Sequence, residues 1–221
     1  MKHTARIIST YAADISGVCS ALYELGGMTV IHDASGCNST YTTHDEPRWY
    51  EMDSMIYISA LTETEAIMGD DDKLISDIVN AAKELSPRFI AVCGAPVPMM
   101  VGTDFQAIAA AVEEKTGTPA FGLHTNGMRS YLAGASEALE TIVKKFCRKD
   151  AARSKELSAN IIGATPLDFS VNGSVESIKD WLAGNGFRLV SCMAMGSGLD
   201  EINLAGRAHV NLVLVKAARL I

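Results

Sequence analysis

The sequence is poor in positive charge: 19 Lys and Arg stand against 26 Asp and Glu, giving a formal net charge of -7. Phosphate backbones and anionic lipid are gripped by clustered cations, so neither nucleic acid nor a membrane surface is expected as a partner. No apolar run reaches membrane-spanning length, and residues 1–10 carry basic groups without the apolar stretch of a signal peptide. The expectation is a cytoplasmic protein. Nucleotide loops are also missing. There is no Gly-x-x-x-x-Gly-Lys-Ser/Thr segment, and Gly196-Ser197-Gly198 lacks the third glycine of a dinucleotide fingerprint, so no motif binds ATP or NAD. The five cysteines are an odd number and show no closely paired Cys-x-x-Cys arrangement. In a reducing compartment that argues against a disulfide framework and against a zinc site of the usual local density.

What is present is a globular composition, with 48% hydrophobic and 20% charged residues over 221 positions, and no internal repeat or low-complexity tract. Strand-length apolar runs at 28–31, 55–58, 89–92 and 120–123 alternate with helical patterns, which predicts a parallel sheet covered by crossover helices. In 73–85, Leu74, Ile75, Ile78, Val79, Ala82 and Leu85 share one helical face. Asp104 can cap a helix with Phe105, Ile108 and Val112 inward, ending at Gly117, and a further helix is expected over 130–146. The predicted fold class is α/β, a doubly wound parallel sheet domain flanked by helices over 1–150. A polar linker at 151–158 then leads to an incomplete second α/β domain over 159–221. There, strands at 160–163, 187–193 and 209–215 accompany a helix at 174–183 with Val175, Ile178 and Trp181 inward. So few strands leave apolar faces uncovered, pointing to a truncated domain or to a surface that another chain covers.

Ligands of open parallel sheets are met just beyond the carboxyl ends of the strands. Cys37 lies there, in His32-Asp33-Ala34-Ser35-Gly36-Cys37, and so does Cys93, which opens Gly94-Ala95-Pro96. Cys19 follows Asp14-Ile15-Ser16-Gly17, a cap that would put its thiol in the first turn of a helix, where the dipole favours thiolate. All three could reach one crevice. Soft thiolates select iron–sulfur clusters, copper(I) or zinc, and a cluster normally takes four ligands. Asp33, or cysteines of a second subunit, could supply the shortfall. The competing reading is that these are small buried core residues. Cys147 and Cys192 are read as structural. His32-Asp33 and His44-Asp45-Glu46 could relay protons or complete a metal shell, with loop hydrogen bonding as the alternative for the second cluster. His124 is similarly placed without an assigned role. Asp70-Asp71-Asp72 is read as a dipole-stabilised helix start.

Three stretches together resemble the nitrogenase component 1 family. His32-Asp33-Ala34-Ser35-Gly36-Cys37 is similar to that family's His-Gly-Pro-x-Gly-Cys segment, with Asp33-Ala34 in place of Gly-Pro. Leu61-Thr62-Glu63-Thr64-Glu65-Ala66-Ile67-Met68-Gly69-Asp70 resembles its Thr-x-x-Glu-x-Asp-x-x-Phe-Gly-Gly segment. The loop from Cys93 to Val101-Gly102-Thr103-Asp104 is similar to a cysteine-bearing loop ending Ile-Gly-Asp-Asp. The resemblance implies an oxidoreductase subunit active in electron transfer, in which Cys19, Cys37 and Cys93 hold an iron–sulfur cluster of four-iron, four-sulfur type or larger, shared across a subunit interface. It implies a homo- or hetero-oligomer with a similar subunit, and an ATP-dependent iron protein as electron donor. A scaffold or carrier for metallocluster assembly is the alternative. No catalytic residue is assigned.

Overall fold

The computed structural model describes residues 13–34, 46–148 and 150–214. Helix α1 (Asp14–Leu22) leads into strand β1 (Met28–His32), followed by β2 (Met55–Ile58), the short helix α2 (Glu63–Met68) and α3 (Asp71–Leu85). Next come β3 (Ile90–Gly94), α4 (Pro96–Val101), α5 (Phe105–Thr116), β4 (Ala120–Gly122) and α6 (Tyr131–Phe146). A second series holds β5 (Ser158–Ile162), α7 (Pro166–Phe169), α8 (Ser174–Gly184), β6 (Arg188–Cys192), α9 (Leu199–Asn203) and β7 (Val210–Val213).

The helix boundaries follow from local chemistry. Asp104 accepts hydrogen bonds from the backbone N–H groups of Gln106 and Ala107, and α5 ends at Gly117 in the left-handed conformation. Thr62 and Glu65 close a capping box around the first turn of α2. Asp70 caps α3 while Asp71 and Asp72 occupy its first turn, so the acidic triplet serves the helix dipole as expected.

Four parallel strands form one sheet in the order β2-β1-β3-β4, and three form another in the order β6-β5-β7. In the first sheet the strand order reverses between β1 and β3, so the crevice beyond their carboxyl ends is its topological switch point. Period-two alternation sorts the side chains of β3: Ala91 and Cys93 join Ile31, Phe121 and Leu123 against α1 and α6, while Ile90 and Val92 join Met28 and Val30 against α3 and α5. The α1–α6 cluster continues into Ile162, Met193, Ala194, Leu199, Ile202 and Ala205, so α6 is covered by sheet residues on one side and by the second series on the other. The far face of the second sheet buries Ala159, Ile161 and Cys192 with Val175 and Leu182 of α8.

Some expectations are corrected. Trp181 is 61% exposed on α8 and Leu85 is 38% exposed at the end of α3, so neither belongs to the core face assigned to it. On α6 the buried stripe joins Leu139 and Ile142 to Gly134, Ala135 and Ala138, small residues that let α1 approach. Ser158, expected to end the linker, is the first residue of β5.

Candidate functional site

Two of the three predicted cysteines meet in the buried apolar cluster that the first sheet forms with α1 and α6, close to the switch point. Cys93 is fully buried near the carboxyl end of β3, beside Ile31 in the register of β1. Cys19 is buried on α1 in the same apolar cluster. The two thiols lie close enough that charge on Cys19 would be felt at Cys93. Cys37 lies outside the described residues, as do Ser35, Gly36, His44 and Asp45 of the flanking motifs.

The electrostatics differ from the sequence expectation. Cys19 stands beyond the first turn of α1, and burial pushes its thiol up to about 12, with the nearby Glu46 carboxylate adding to the effect. Cys93 is raised well above the usual thiol range, mainly by burial. Burial thus favours the protonated thiol at both positions, against the dipole-stabilised thiolate expected at Cys19. Desolvation outweighs the single backbone N–H, that of Cys19 itself, that favours charge on the sulfur.

The segment Asp14-Ile15-Ser16-Gly17, expected as a cap, lies inside α1: Ala13 is the N-cap residue and no side chain caps it. Asp14 is completely buried, yet its carboxylate accepts from the backbone N–H of Asn126 at 3.0 Å, of Gly127 at 2.8 Å and from Arg129 Nε at 3.1 Å. It thereby straps residues 126–129 onto the start of α1, where Ala13 and Ser130 also form an antiparallel bridge. The Thr125 hydroxyl bonds both the N–H and the carbonyl of Gly94, each at 2.8 Å, and lies within hydrogen-bonding reach of Cys93. Ser16, one turn before Cys19, has a buried hydroxyl with no hydrogen-bond partner among the described residues.

On the β1 side, His32 is buried and its Nδ1 is 2.8 Å from Ser59 Oγ; burial depresses its pKa below the ordinary histidine value. Ser59 Oγ also receives the Asp33 N–H at 3.2 Å, and the Leu61 N–H donates to the Asp33 carbonyl at 2.8 Å, so the backbone leading to Cys37 is fixed at its first residue. Where that segment returns, Arg48 is buried and every N–H of its guanidinium is engaged: Nε to Glu46, Nη1 to Glu24 and the Ala194 carbonyl, Nη2 to the Ser20 carbonyl and hydroxyl. Because Ser20 lies in the last turn of α1, this cation also caps the helix that carries Cys19.

His124 is exposed and pairs with Glu137 at 3.0 Å. Cys147 is half-buried at the end of α6, and Cys192 is buried within β6, its thiol pushed up to about 11 by burial; both fit the structural role expected of them. The four described cysteines are free thiols. Among the described residues no group of three or more His, Cys, Asp or Glu side chains could hold a metal ion. Two soft sulfurs on rigid elements, with an orphaned hydroxyl one turn away, fit part of a thiolate-ligated cluster site.

The model of the family described as nitrogenase component 1 type oxidoreductase matches residues 16–220. The nitrogenase molybdenum-iron protein beta chain of Bradyrhizobium diazoefficiens is 28% identical over 160 residues, covering 67% of this chain and 30% of that protein. The nitrogenase iron-molybdenum cofactor biosynthesis protein NifE of Clostridium pasteurianum is 26% identical over 153 residues, covering 69% and 33% respectively. The solved structure described as nitrogenase Cp1 at pH 6.5 shares the fold, with a TM-score of 0.76 at 18% identity over 99% of this chain and 44% of that one. The chain thus spans about a third of the length of these curated relatives. No helix among the described residues is long and apolar enough to cross a membrane. By its sequence and its parallel-sheet architecture, the chain belongs to the nitrogenase component 1 type oxidoreductase family.

Proposed function

We propose that this chain is an electron-transfer subunit of a nitrogenase-like oxidoreductase, in which Cys19, Cys37 and Cys93 hold an iron–sulfur cluster shared with a similar subunit. The observation that carries this reading is the meeting of Cys19 and Cys93 in one buried cluster close to the switch point of the sheet. Family membership supports it; Cys37 and a shared interface would supply the donors beyond the two described thiols. Asp33, at the head of the Cys37 segment, is the candidate oxygen donor.

When bound, the cluster would supply one-electron storage. The protein's part is to hold and desolvate the sulfurs. Cys19 and Cys93 each release a proton on ligation, since burial favours the thiol at both positions. Thr125 would fix the sulfur of Cys93, and the Arg48 clamp the end of α1. Sheet and helix backbones keep both sulfurs rigid and exclude water from the inner side. An ATP-dependent iron protein is the proposed electron donor.

The test is anaerobic purification and reconstitution with iron and sulfide, followed by metal assay and a visible spectrum. A brown protein whose colour depends on Cys19, Cys37 and Cys93 supports the reading; a colourless, iron-free product refutes it. A second reading, a scaffold or carrier that passes its cluster on, is favoured by the similarity to a cofactor biosynthesis protein. Stable reduction by an iron protein with ATP would select the first reading, and transfer of the cluster to an apo-acceptor the second.

A further inference from the structure

At the end of the first sheet opposite the cysteines, the turn before β1 and the start of β2 border a hollow of about 580 Å³. Among the described residues its lining includes Tyr23, Trp49, Tyr57 and Met52 together with the carboxylates of Glu24 and Asp53, and no Lys or Arg. Trp49 and Tyr57 are 39% and 41% exposed, an unusual outlay of aromatic surface in the lining of one concavity. The hollow is held open by a rigid rear wall. The Tyr23 hydroxyl donates to the Met52 carbonyl at 3.0 Å, and the Arg48 guanidinium lies 4.6 Å from the centre of the Tyr23 ring. That guanidinium offers nothing to a ligand, because all its N–H groups are spent on Glu24, Glu46, Ser20 and Ala194. Its charge is outweighed by Glu24 and Glu46, its two carboxylate partners.

We propose that this hollow binds a small organic cation with an apolar shell, a quaternary ammonium or an alkylated amine. Three properties select that class. Aromatic faces attract a cation through their quadrupole, and a methylated ammonium sheds its weakly held water cheaply against rings and thioethers. The charge on the described lining residues is negative, carried toward solvent by Asp53 since Glu24 is engaged by Arg48 and the Gly196 N–H, and it repels carboxylates and phosphates. The volume suits a small ligand, falling within the range of ordinary pockets. The site is independent of iron, and its occupancy does not depend on the function proposed for the cysteines.

The chain contains two tryptophans, so a Trp181→Phe background leaves Trp49 as the reporter; Trp181 is largely exposed on α8 and its replacement disturbs no core. Fluorescence is titrated with choline and, in parallel, with dimethylbutanol, its uncharged carbon isostere. The expected result is saturable quenching by choline, with binding of the neutral isostere at least tenfold weaker. Tyr57→Leu and the exposed Asp53→Asn each weaken choline at least threefold, with circular dichroism confirming the fold. Equal affinity for the two compounds, quenching that does not saturate, or indifference to both substitutions overturns the proposal. So does a change in Trp49 emission that tracks protein concentration without ligand, which would mark the hollow as a contact between copies of the chain.

Discussion

A methyl group placed on Gly134 would stand 1.8 Å from the main-chain oxygen of Asp14, closer than any real contact permits. The helices α1 and α6 therefore touch backbone to backbone, and Gly17 meets Tyr131 O in the same way at 1.9 Å. Neither obstacle is a side chain that could swing aside. Gly134→Ala and Gly17→Ala are each expected to cost about 3 kcal/mol or more, as overpacking forces the helices apart. Urea unfolding of both variants measures this; a loss below 1 kcal/mol, allowing for the ordinary preference for Ala over Gly in helices, would mean the helices separate freely (about 1 kcal/mol).

Arg48→Met leaves Glu24 and Glu46 facing each other without their shared cation. Removing one partner from a buried ion pair typically costs about 3–5 kcal/mol, and the same loss is expected here. The double substitution Arg48→Met with Glu24→Gln should recover part of it, a coupling that a double-mutant cycle reads directly.

His32 predicts a pH dependence. Burial lowers its folded pKa below the ordinary value of 6.5, whereas the unfolded histidine takes up its proton near that value. Between the two pKa values the unfolded state holds more protons, so stability is present above pH 6.5 and is lost as pH falls through the folded pKa. His32→Gln should flatten the stability profile just below pH 6.5, measured by denaturant unfolding at stepped pH.

Cysteine substitutions separate ligation from packing. Cys93→Ala and Cys19→Ala are expected to abolish most reconstituted iron while leaving a folded chain, and Cys192→Ala to retain full iron at a stability cost of about 1–2 kcal/mol. Iron and sulfide assays alongside thermal unfolding distinguish the two. Loss of iron from Cys192→Ala as complete as from Cys93→Ala would break the assignment.

The architecture was legible because periodicity and punctuation agreed. Asp104 with Gly117, and Asp70 with the periodic run that follows it, mark helices that the structure places within one or two residues of their expected limits. Trp181 misled because helical spacing says which residues share a face but not where that face stops, and this large ring lies at its margin. The position of Cys93 could be read from a strand end followed by small residues, whereas its chemistry could not: thiol acidity depends on burial by α1 and α6, which sequence spacing does not reveal. Arg48 was missed, and Asp14 was read only as part of a helix cap, for a related reason. A buried charge is recognisable only through partners that are remote in sequence, such as Arg129 for the first and Ala194 for the second.

The interior that joins Leu139 and Ile142 of α6 to Met193, Leu199 and Ile202 crosses the boundary drawn by composition between the two halves. Such a seam makes the halves poor cassettes for recombination. A chimera that took its second sheet from a distant relative would inherit a mismatched apolar face along α6, so ancestry in this region should travel as one block, with compensating changes on both sides of the seam.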